Sequence, residues 1–366
     1  MHDPPHGTPP LLPRGGPVPR RRPPTCRRTR IRRALTRTPQ PRHGGPSLFA
    51  ALRAAFARPD RAVFLGSDRY RRAMATARTP TATSRRQEGP WLTVASLAIA
   101  GLVAMASLLG LFADWPYQFE TENWALQARG QDVGNLLAVV VLVVATIRMR
   151  AGSVRAAQVW VGAQFYLLYA YLVYAFALHL GRLFLVYVAV LGLIAFSLIA
   201  ALQAALRVPA TGRVRARKFG AAVLVVTGAL FALLWLSELV PALVSDEVPA
   251  SLELAGLIVN PVHVIDLSVV LPGMIVVGVL GIRGTPTGAL TLPLLVFSTL
   301  MGLSIVAAMI LITAAGPVGS VVPAILVGVV VAVSLAAAAG LFHETPERPL
   351  AEASAAAPPR VPRSRR

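Results

Sequence analysis

The sequence predicts an all-α membrane protein, a polytopic bundle of about eight transmembrane helices with both chain ends in the cytoplasm. Three observations predict this fold class. Of the 366 residues, 55% are hydrophobic and only 14% are charged, a balance typical of chains whose solvent is lipid. The apolar residues are collected in eight long runs. Arginine is concentrated in alternate connections between those runs.

Residues 1–90 form a basic tail that we expect to be cytoplasmic and disordered. They hold 20 of the 36 lysine and arginine residues and only four acids, and their proline-rich sequence offers little apolar surface to bury. Most of the net charge of +20 lies in this tail, whereas the rest of the chain is almost balanced. Since we attribute the abundance of arginine to GC-rich coding, no nucleic-acid partner is expected. Met74 precedes a short basic lead into the first apolar run and is an alternative translation start. Residues 343–366 form a second basic tail with the same expectation.

The membrane domain is predicted to cover residues 91–342. A helix of about 20 residues crosses the hydrocarbon core of a bilayer. The runs that approach or exceed this length are 91–113, 132–149, 157–178, 181–206, 219–243, 262–282, 288–314 and 318–342. The second run is the shortest, and only a short turn joins the third and fourth, so seven or nine helices are alternatives to eight.

The connections predict the orientation. Short loops rich in arginine and lysine stay in the cytoplasm, since cationic residues resist translocation. With both ends inside, the cytoplasmic connections carry Arg148, Arg150, Arg155, Arg207, Arg213, Arg215, Arg217, Lys218 and Arg283. The opposite connections carry only Arg129 and Arg182. Arginine outnumbers lysine by 35 to one, which indicates GC-rich coding, and we expect a multi-pass protein of a bacterial plasma (inner) membrane.

Six polar residues at predicted membrane depth form the candidate binding site. Ionisable side chains are costly in hydrocarbon and often mark function there. The candidates are Arg129, Asp132, Asn135, Glu238, His263 and Asp266. In the predicted topology they lie near the outer face, where three helix ends could present them to one outward-facing pocket.

Two interpretations of this polar layer remain open. In the first, Arg129 pairs with Asp132, three residues apart on one helix face, and His263 pairs with Asp266 or Glu238, so that the groups only fix helix ends. In the second, Glu238, His263 and Asp266 share a proton or bind a cation.

Two further patterns concern packing. The third run is rich in tyrosine; Tyr171 and Tyr174 are expected in an outer aromatic belt, whereas Tyr166 and Tyr169 are expected inside the bundle. The eighth run has small residues at every fourth position. Gly328, Ala332, Ala336 and Gly340 therefore predict a close-packing seam, either within the bundle or with a second copy or membrane partner.

Missing motifs limit the function classes. The chain has no phosphate-binding P-loop, no HExxH and no GxSxG pattern, and its only cysteine, Cys26, excludes an intrachain disulfide. No cofactor or dedicated metal site is expected. We expect a carrier or sensor without enzymatic activity. The alternatives are a membrane-embedded enzyme on a lipid or isoprenoid substrate, with His263 as acid/base and Asp266 or Glu238 orienting it, and a structural membrane subunit.

Two motifs and the aromatic third run carry a resemblance to a known family. The segment 127–132 (QARGQD), the aromatic third run and the segment 260–266 (NPVHVID) resemble a family of uncharacterised multi-pass membrane proteins of high-GC bacteria. The resemblance covers roughly residues 91–342. It implies a helical inner-membrane protein and brings no assigned activity.

Overall fold

The computed structural model describes residues 82–206, 213–316 and 321–343. Most of both basic tails (residues 1–81 and 344–366), Met74 and Arg207 lie outside these residues. Residues 82–90, which were expected to belong to the disordered tail, are instead helical and begin the first long helix. Within them the chain is helical and has no strand, which confirms the predicted all-α class. The α-helices are α1 (Ala82–Phe112), α2 (Glu122–Arg150), α3 (Val154–Ala177), α4 (Phe184–Leu206), α5 (Val214–Ser245), α6 (Ala250–Ala255), α7 (Pro261–Ile265), α8 (Leu271–Ile282), α9 (Thr291–Ala315) and α10 (Val321–His343).

Eight helical stretches of the described chain are long and apolar enough to cross a membrane, as predicted. Six of them correspond to the long helices α1–α5 and α10. The sixth span, Pro261–Ile282, combines α7 and α8, and the seventh, Pro286–Ala315, joins a 3-10 turn to α9. Eight crossings would bring both ends to one side of the bilayer. The cytoplasmic side remains the prediction from the arginines.

The second span begins ten residues earlier than the apolar run predicted, at Glu122 rather than 132. The hydroxyl of Thr121 accepts a hydrogen bond from the backbone N–H of Trp124 at 3.2 Å and caps the helix there. Hydropathy alone missed this start because the first turns of α2 carry polar side chains. As a consequence, Arg129 and Asp132 lie well inside the helix and not at its end.

The sixth span changes its helical type at its centre. Asn260 caps α7 by accepting from the N–H of Val262 at 2.9 Å, and Pro261 occupies the first turn, where its missing N–H costs nothing. The segment Asp266–Val270 is π-helical, with the N–H of Leu271 donating to the carbonyl of Asp266. Pro272 follows directly and cannot donate to the carbonyl one turn earlier, which accounts for the irregularity here. Pro293, by contrast, lies in the first turn of α9.

The helices form two packed groups. The first core joins α1, α2, α3 and α4, and the second joins α5, α8, α9 and α10. Helix α9 holds the groups together by packing against α2 and α3 as well as against its own group. At Gly130 the backbones of α2 and α9 approach so closely that a Cβ atom would overlap Ala308. The space left between the two groups forms the main cavity.

Three of the four residues of the predicted seam on α10 have no close neighbour inside the described bundle. Ala332 and Ala336 are exposed, and a Cβ added at Gly328 would meet nothing within 4 Å. The side of α10 that faces α9 instead carries Val327 and Val331. Gly340, at the end of the seam, faces α5, since an added Cβ would lie 4.0 Å from the Ala216 Cβ. Both uses of the seam, within the bundle and with another chain, remain predictions.

Candidate functional site

A cavity of about 590 Å³ lies between the two helix groups. Helices α2, α3, α5, α9 and α10 and the sixth span all contribute to its wall. The wall is mainly apolar and includes Val173, Leu230, Phe231, Leu234, Val270, Leu271, Met274, Phe297, Met301, Ile305, Met309 and Leu326. Its polar residues are few, among them Gln127, Gln131, Tyr174, Trp235, Asn260 and Asp266. Ligand sites in proteins commonly have this character, with a few polar groups fixing an otherwise apolar molecule.

Asp266 is the acidic residue of the cavity wall. It is 8% exposed and stands at the start of the π-helical segment. The indole Nε1 of Trp235 donates a hydrogen bond to Asp266 Oδ2 at 2.8 Å, and the hydroxyl of Tyr169 also interacts with the carboxylate. No cationic side chain of the described residues lies within ion-pair distance of Asp266. A buried carboxylate without a cationic partner therefore borders an apolar space.

His263 and Glu238 lie beside this cavity and not in its wall. His263 Nε2 is 3.8 Å from Glu238 Oε2, and Ser251 donates a hydrogen bond to the other oxygen of Glu238. The ring of His263 packs against that of Trp235, with centroids 4.6 Å apart. His263 and Asp266 are three residues apart, as the sequence indicated, but each has its own partner. Trp235 is the residue that connects them.

Asp132 lies in a second polar cluster, inside the first helix group. Its side chain is fully buried and accepts two hydrogen bonds, from the Tyr117 hydroxyl to Oδ2 at 2.6 Å and from the Tyr174 hydroxyl to Oδ1 at 2.9 Å. Asn135 lies beside it, and its Nδ2 is 3.5 Å from the Tyr174 hydroxyl. Gly110 on α1 faces this carboxylate closely. A Cβ atom at Gly110 would overlap Asp132 Oδ2.

Arg129 does not form the pair with Asp132 that its spacing suggested. No carboxylate of the described residues is within ion-pair distance of Arg129, and its Nε is buried without a hydrogen-bond partner. Both residues lie mid-helix, where α1 and α3 pack against α2 around Asp132. The Arg129 side chain therefore does not reach the carboxylate. The hydroxyls of Tyr117 and Tyr174, and not the guanidinium of Arg129, contact the Asp132 carboxylate.

Tyr117 lies in the loop between α1 and α2 and serves the Asp132 cluster as a donor. Burial raises the pKa of Tyr117 well above its ordinary value, and the nearby Asp132 carboxylate adds to that effect. The phenol therefore keeps its proton over the whole physiological range and continues to donate to Asp132. No sequence pattern pointed to this residue, since it lies between two spans.

The tyrosines of α3 pack differently from the sequence prediction. Tyr171 and Tyr174 are buried, not in an aromatic belt, and both pack against Tyr187 of α4, with ring centroids 5.8 and 5.2 Å away respectively. Tyr166 and Tyr169 are buried as predicted. Three rings thus close the Asp132 cluster on the side of α3 and α4.

Comparison with known proteins gives no relative. No family model, no curated protein and no solved structure matches this chain. The resemblance of its two motifs to a family of bacterial membrane proteins therefore stays a resemblance.

The six predicted residues thus fall into two places. Arg129, Asp132 and Asn135 belong to α2 and the first helix group; Glu238, His263 and Asp266 belong to the region around Trp235. The two places share one residue, because Tyr174 donates to Asp132 and also lines the cavity that Asp266 borders.

Proposed function

We propose that this chain is an integral membrane protein that binds an apolar organic cation in the cavity beside Asp266, as a carrier or sensor. Its eight apolar helices are compatible with membrane integration. The bacterial plasma membrane and the outward orientation of the cavity are parts of the proposal. They rest on the arginine distribution alone.

The observation that supports the proposal is the Asp266 carboxylate at the wall of an apolar cavity. Burying an anion without a countercharge is costly, and a bound cation would compensate that charge. Aromatic rings of Trp124, Phe231 and Trp235 line the same cavity and can attract a cation through their faces. An anionic ligand would be repelled by Asp266, and a neutral one would leave its charge uncompensated.

The geometry gives little support to the alternative of an enzyme with His263 as acid/base. His263 is outside the lining of the main cavity, and Asp266 hydrogen-bonds to Trp235 instead of orienting His263. The shortest distance between His263 Nε2 and a Glu238 oxygen is 3.8 Å, longer than a hydrogen bond. The binding function is therefore preferred.

Binding of tetraphenylphosphonium and octyltrimethylammonium to the purified protein in a non-ionic detergent tests the proposal. Trp124 and Trp235 both line the cavity, so tryptophan fluorescence should report occupancy; calorimetry provides a second readout. We expect at least one cation to bind and Asp266→Asn to weaken it by about tenfold or more, because a carboxylate–cation contact is lost. Triphenylphosphine oxide, a neutral analogue, should bind weakly and equally to both proteins.

Glu238→Gln is the matched control, since Glu238 is an acid close to Trp235 but outside the cavity wall. It should leave the affinity for the cations unchanged. The proposal is wrong if neither cation binds, or if Asp266→Asn binds them as tightly as the original protein.

A further inference from the structure

A second group of buried oxygen atoms surrounds Asp132, away from the organic-cation cavity. It is built from α1, α2 and α3, which supply Ser107, Asn135 and Tyr171 in addition to the Asp132 carboxylate. All four side chains are 0% exposed. The cluster is therefore sealed from the solvent and from the lipid by the first helix group.

The Asp132 carboxylate is contacted only by neutral hydrogen-bond donors among the described residues. Tyr117 and Tyr174 each donate to one carboxylate oxygen, so both oxygens act as acceptors. A carboxylate offers about four acceptor positions; these two donors fill two of them, and Ser107 and Asn135 also lie beside the carboxylate. The described residues hold no cationic side chain within ion-pair distance of Asp132, and Arg129 does not reach it. The Asp132 carboxylate therefore has no positively charged partner among the described residues.

Three further oxygen atoms of the cluster lack a hydrogen-bond partner. They are Ser107 Oγ, Asn135 Oδ1 and Tyr171 Oη. Ser107 lies close enough to interact with both Asp132 and Tyr171, and Asn135 also interacts with Asp132. Buried polar atoms in proteins are nearly always satisfied by a protein group, a water or an ion. Unpaired oxygens beside an uncompensated carboxylate match the ligand preference of a hard metal cation.

We propose that Asp132, Asn135 and Ser107 bind a monovalent metal cation of the sodium type, with Tyr171 as a further oxygen donor. One carboxylate balances one positive charge, whereas a divalent ion would leave a net charge in a region surrounded by hydrocarbon. The ligands are oxygen atoms only, which disfavours transition metals. None of these four ligands lines the cavity, and only Tyr174 touches both places, so the site does not depend on the proposed binding of organic cations at Asp266.

Thermal unfolding of the full-length protein in detergent, in sodium chloride or N-methyl-D-glucamine chloride at equal ionic strength, tests the site; the polyhydroxylated N-methyl-D-glucamine cation has too little apolar surface for the Asp266 cavity. A cation that binds only the folded state raises the melting temperature, by about 5 °C at concentrations far above its dissociation constant. We expect this rise with sodium and its loss in Asp132→Asn. Binding of radioactive sodium to the same proteins should follow the same pattern. Asp266→Asn should keep the full response.

Ser107→Ala is the second variant and decides the outcome if Asp132→Asn does not fold. Ser107 Oγ makes no hydrogen bond of ordinary geometry, although it lies beside Asp132 and Tyr171, so its removal should lower the melting temperature in N-methyl-D-glucamine chloride only slightly. The sodium concentration for half the rise should increase, by about tenfold for the loss of one ligand. The matched control is Ser197→Ala, which also removes a buried, unpartnered hydroxyl but lies ten residues beyond Tyr187 on α4, about 15 Å along the helix.

Equal melting temperatures in sodium chloride and N-methyl-D-glucamine chloride would overturn the proposal. So would a sodium response that Ser107→Ala leaves unaltered, because the oxygens would then be satisfied by water or serve packing only.

Discussion

The Tyr174 hydroxyl donates to Asp132 Oδ1 at 2.9 Å, and Tyr174 also lines the cavity that extends to Asp266. Among the described side chains that contact the Asp132 carboxylate, Tyr174 is therefore the one that also lines the cavity beside Asp266. Its ring packs against Tyr171 and Tyr187, which holds the hydroxyl in position. Any influence of one polar region on the other has its shortest route through this phenol.

Tyr174→Phe should destabilise the protein while preserving the ring packing. The one hydroxyl proton of Tyr174 is shared between Asp132 Oδ1 at 2.9 Å and the Ala128 carbonyl at 3.0 Å, so Asp132 would lose a donor in a buried site, which costs about 1–3 kcal/mol. Thermal or denaturant unfolding in detergent would measure the loss. In an Asp132→Asn background the same substitution should cost about half as much, because hydrogen bonds to a neutral acceptor are weaker. An equal cost in both backgrounds would show that the contact with Asp132 is not the reason.

The sequence could predict the eight spans because their signal is local. Lipid demands a long run of apolar side chains, and each run reveals itself without reference to any other part of the chain. The start of the sixth span was also readable, since Asn260 and Pro261 act on the next few residues. The start of α2 was not, because Thr121 caps a first turn that carries polar residues and lies outside any apolar run.

The partners of the buried acids could not be read in this way. Asp132 contacts Tyr117 and Tyr174, which are 15 and 42 positions away along the chain, and no periodicity within one helix contains that information. Arg129 at i−3 was the local candidate, but the helix packing covers Asp132 with α1 and α3. Trp235 was missed for the same reason, since its indole N–H meets Asp266 only across two spans.

Gly110→Ala should disturb the Asp132 cluster through sterics alone. A Cβ at this position of α1 would overlap Asp132 Oδ2 and would lie 2.6 Å from the Tyr117 hydroxyl. Overpacking of a buried contact typically costs about 1–3 kcal/mol, so a clear drop in melting temperature is expected. The matched control is Gly101→Ala on the same helix, where a Cβ meets nothing within 4 Å. That variant should be neutral or slightly stabilising, and a loss equal to that of Gly110→Ala would contradict the steric explanation.

Gly328→Leu tests whether the seam of α10 contacts another chain. Because nothing lies within 4 Å of a Cβ at Gly328, the larger side chain should leave the melting temperature of the monomer unchanged. It should abolish a dimer or a partner complex that uses Gly328, Ala332, Ala336 and Gly340, since close helix approach requires small residues. Size-exclusion chromatography with light scattering, on the original protein and on Gly328→Leu, would show whether such a complex is lost. If an oligomer forms and survives Gly328→Leu, the seam is not its interface.

The predicted orientation places the turn between α2 and α3 in the cytoplasm and the turn between α3 and α4 outside. Arg148, Arg150 and Arg155 flank the first turn, and Arg182 is the basic residue of the second. Cysteines introduced at Gly152 and at Gly181, in a Cys26→Ser background, should respond oppositely to a membrane-impermeant thiol reagent applied to intact cells. Gly152→Cys should stay unlabelled until the membrane is permeabilised, and Gly181→Cys should be labelled at once. The reverse pattern would mean that the arginines do not set the topology and that Asp266 faces the cytoplasmic half of the bilayer.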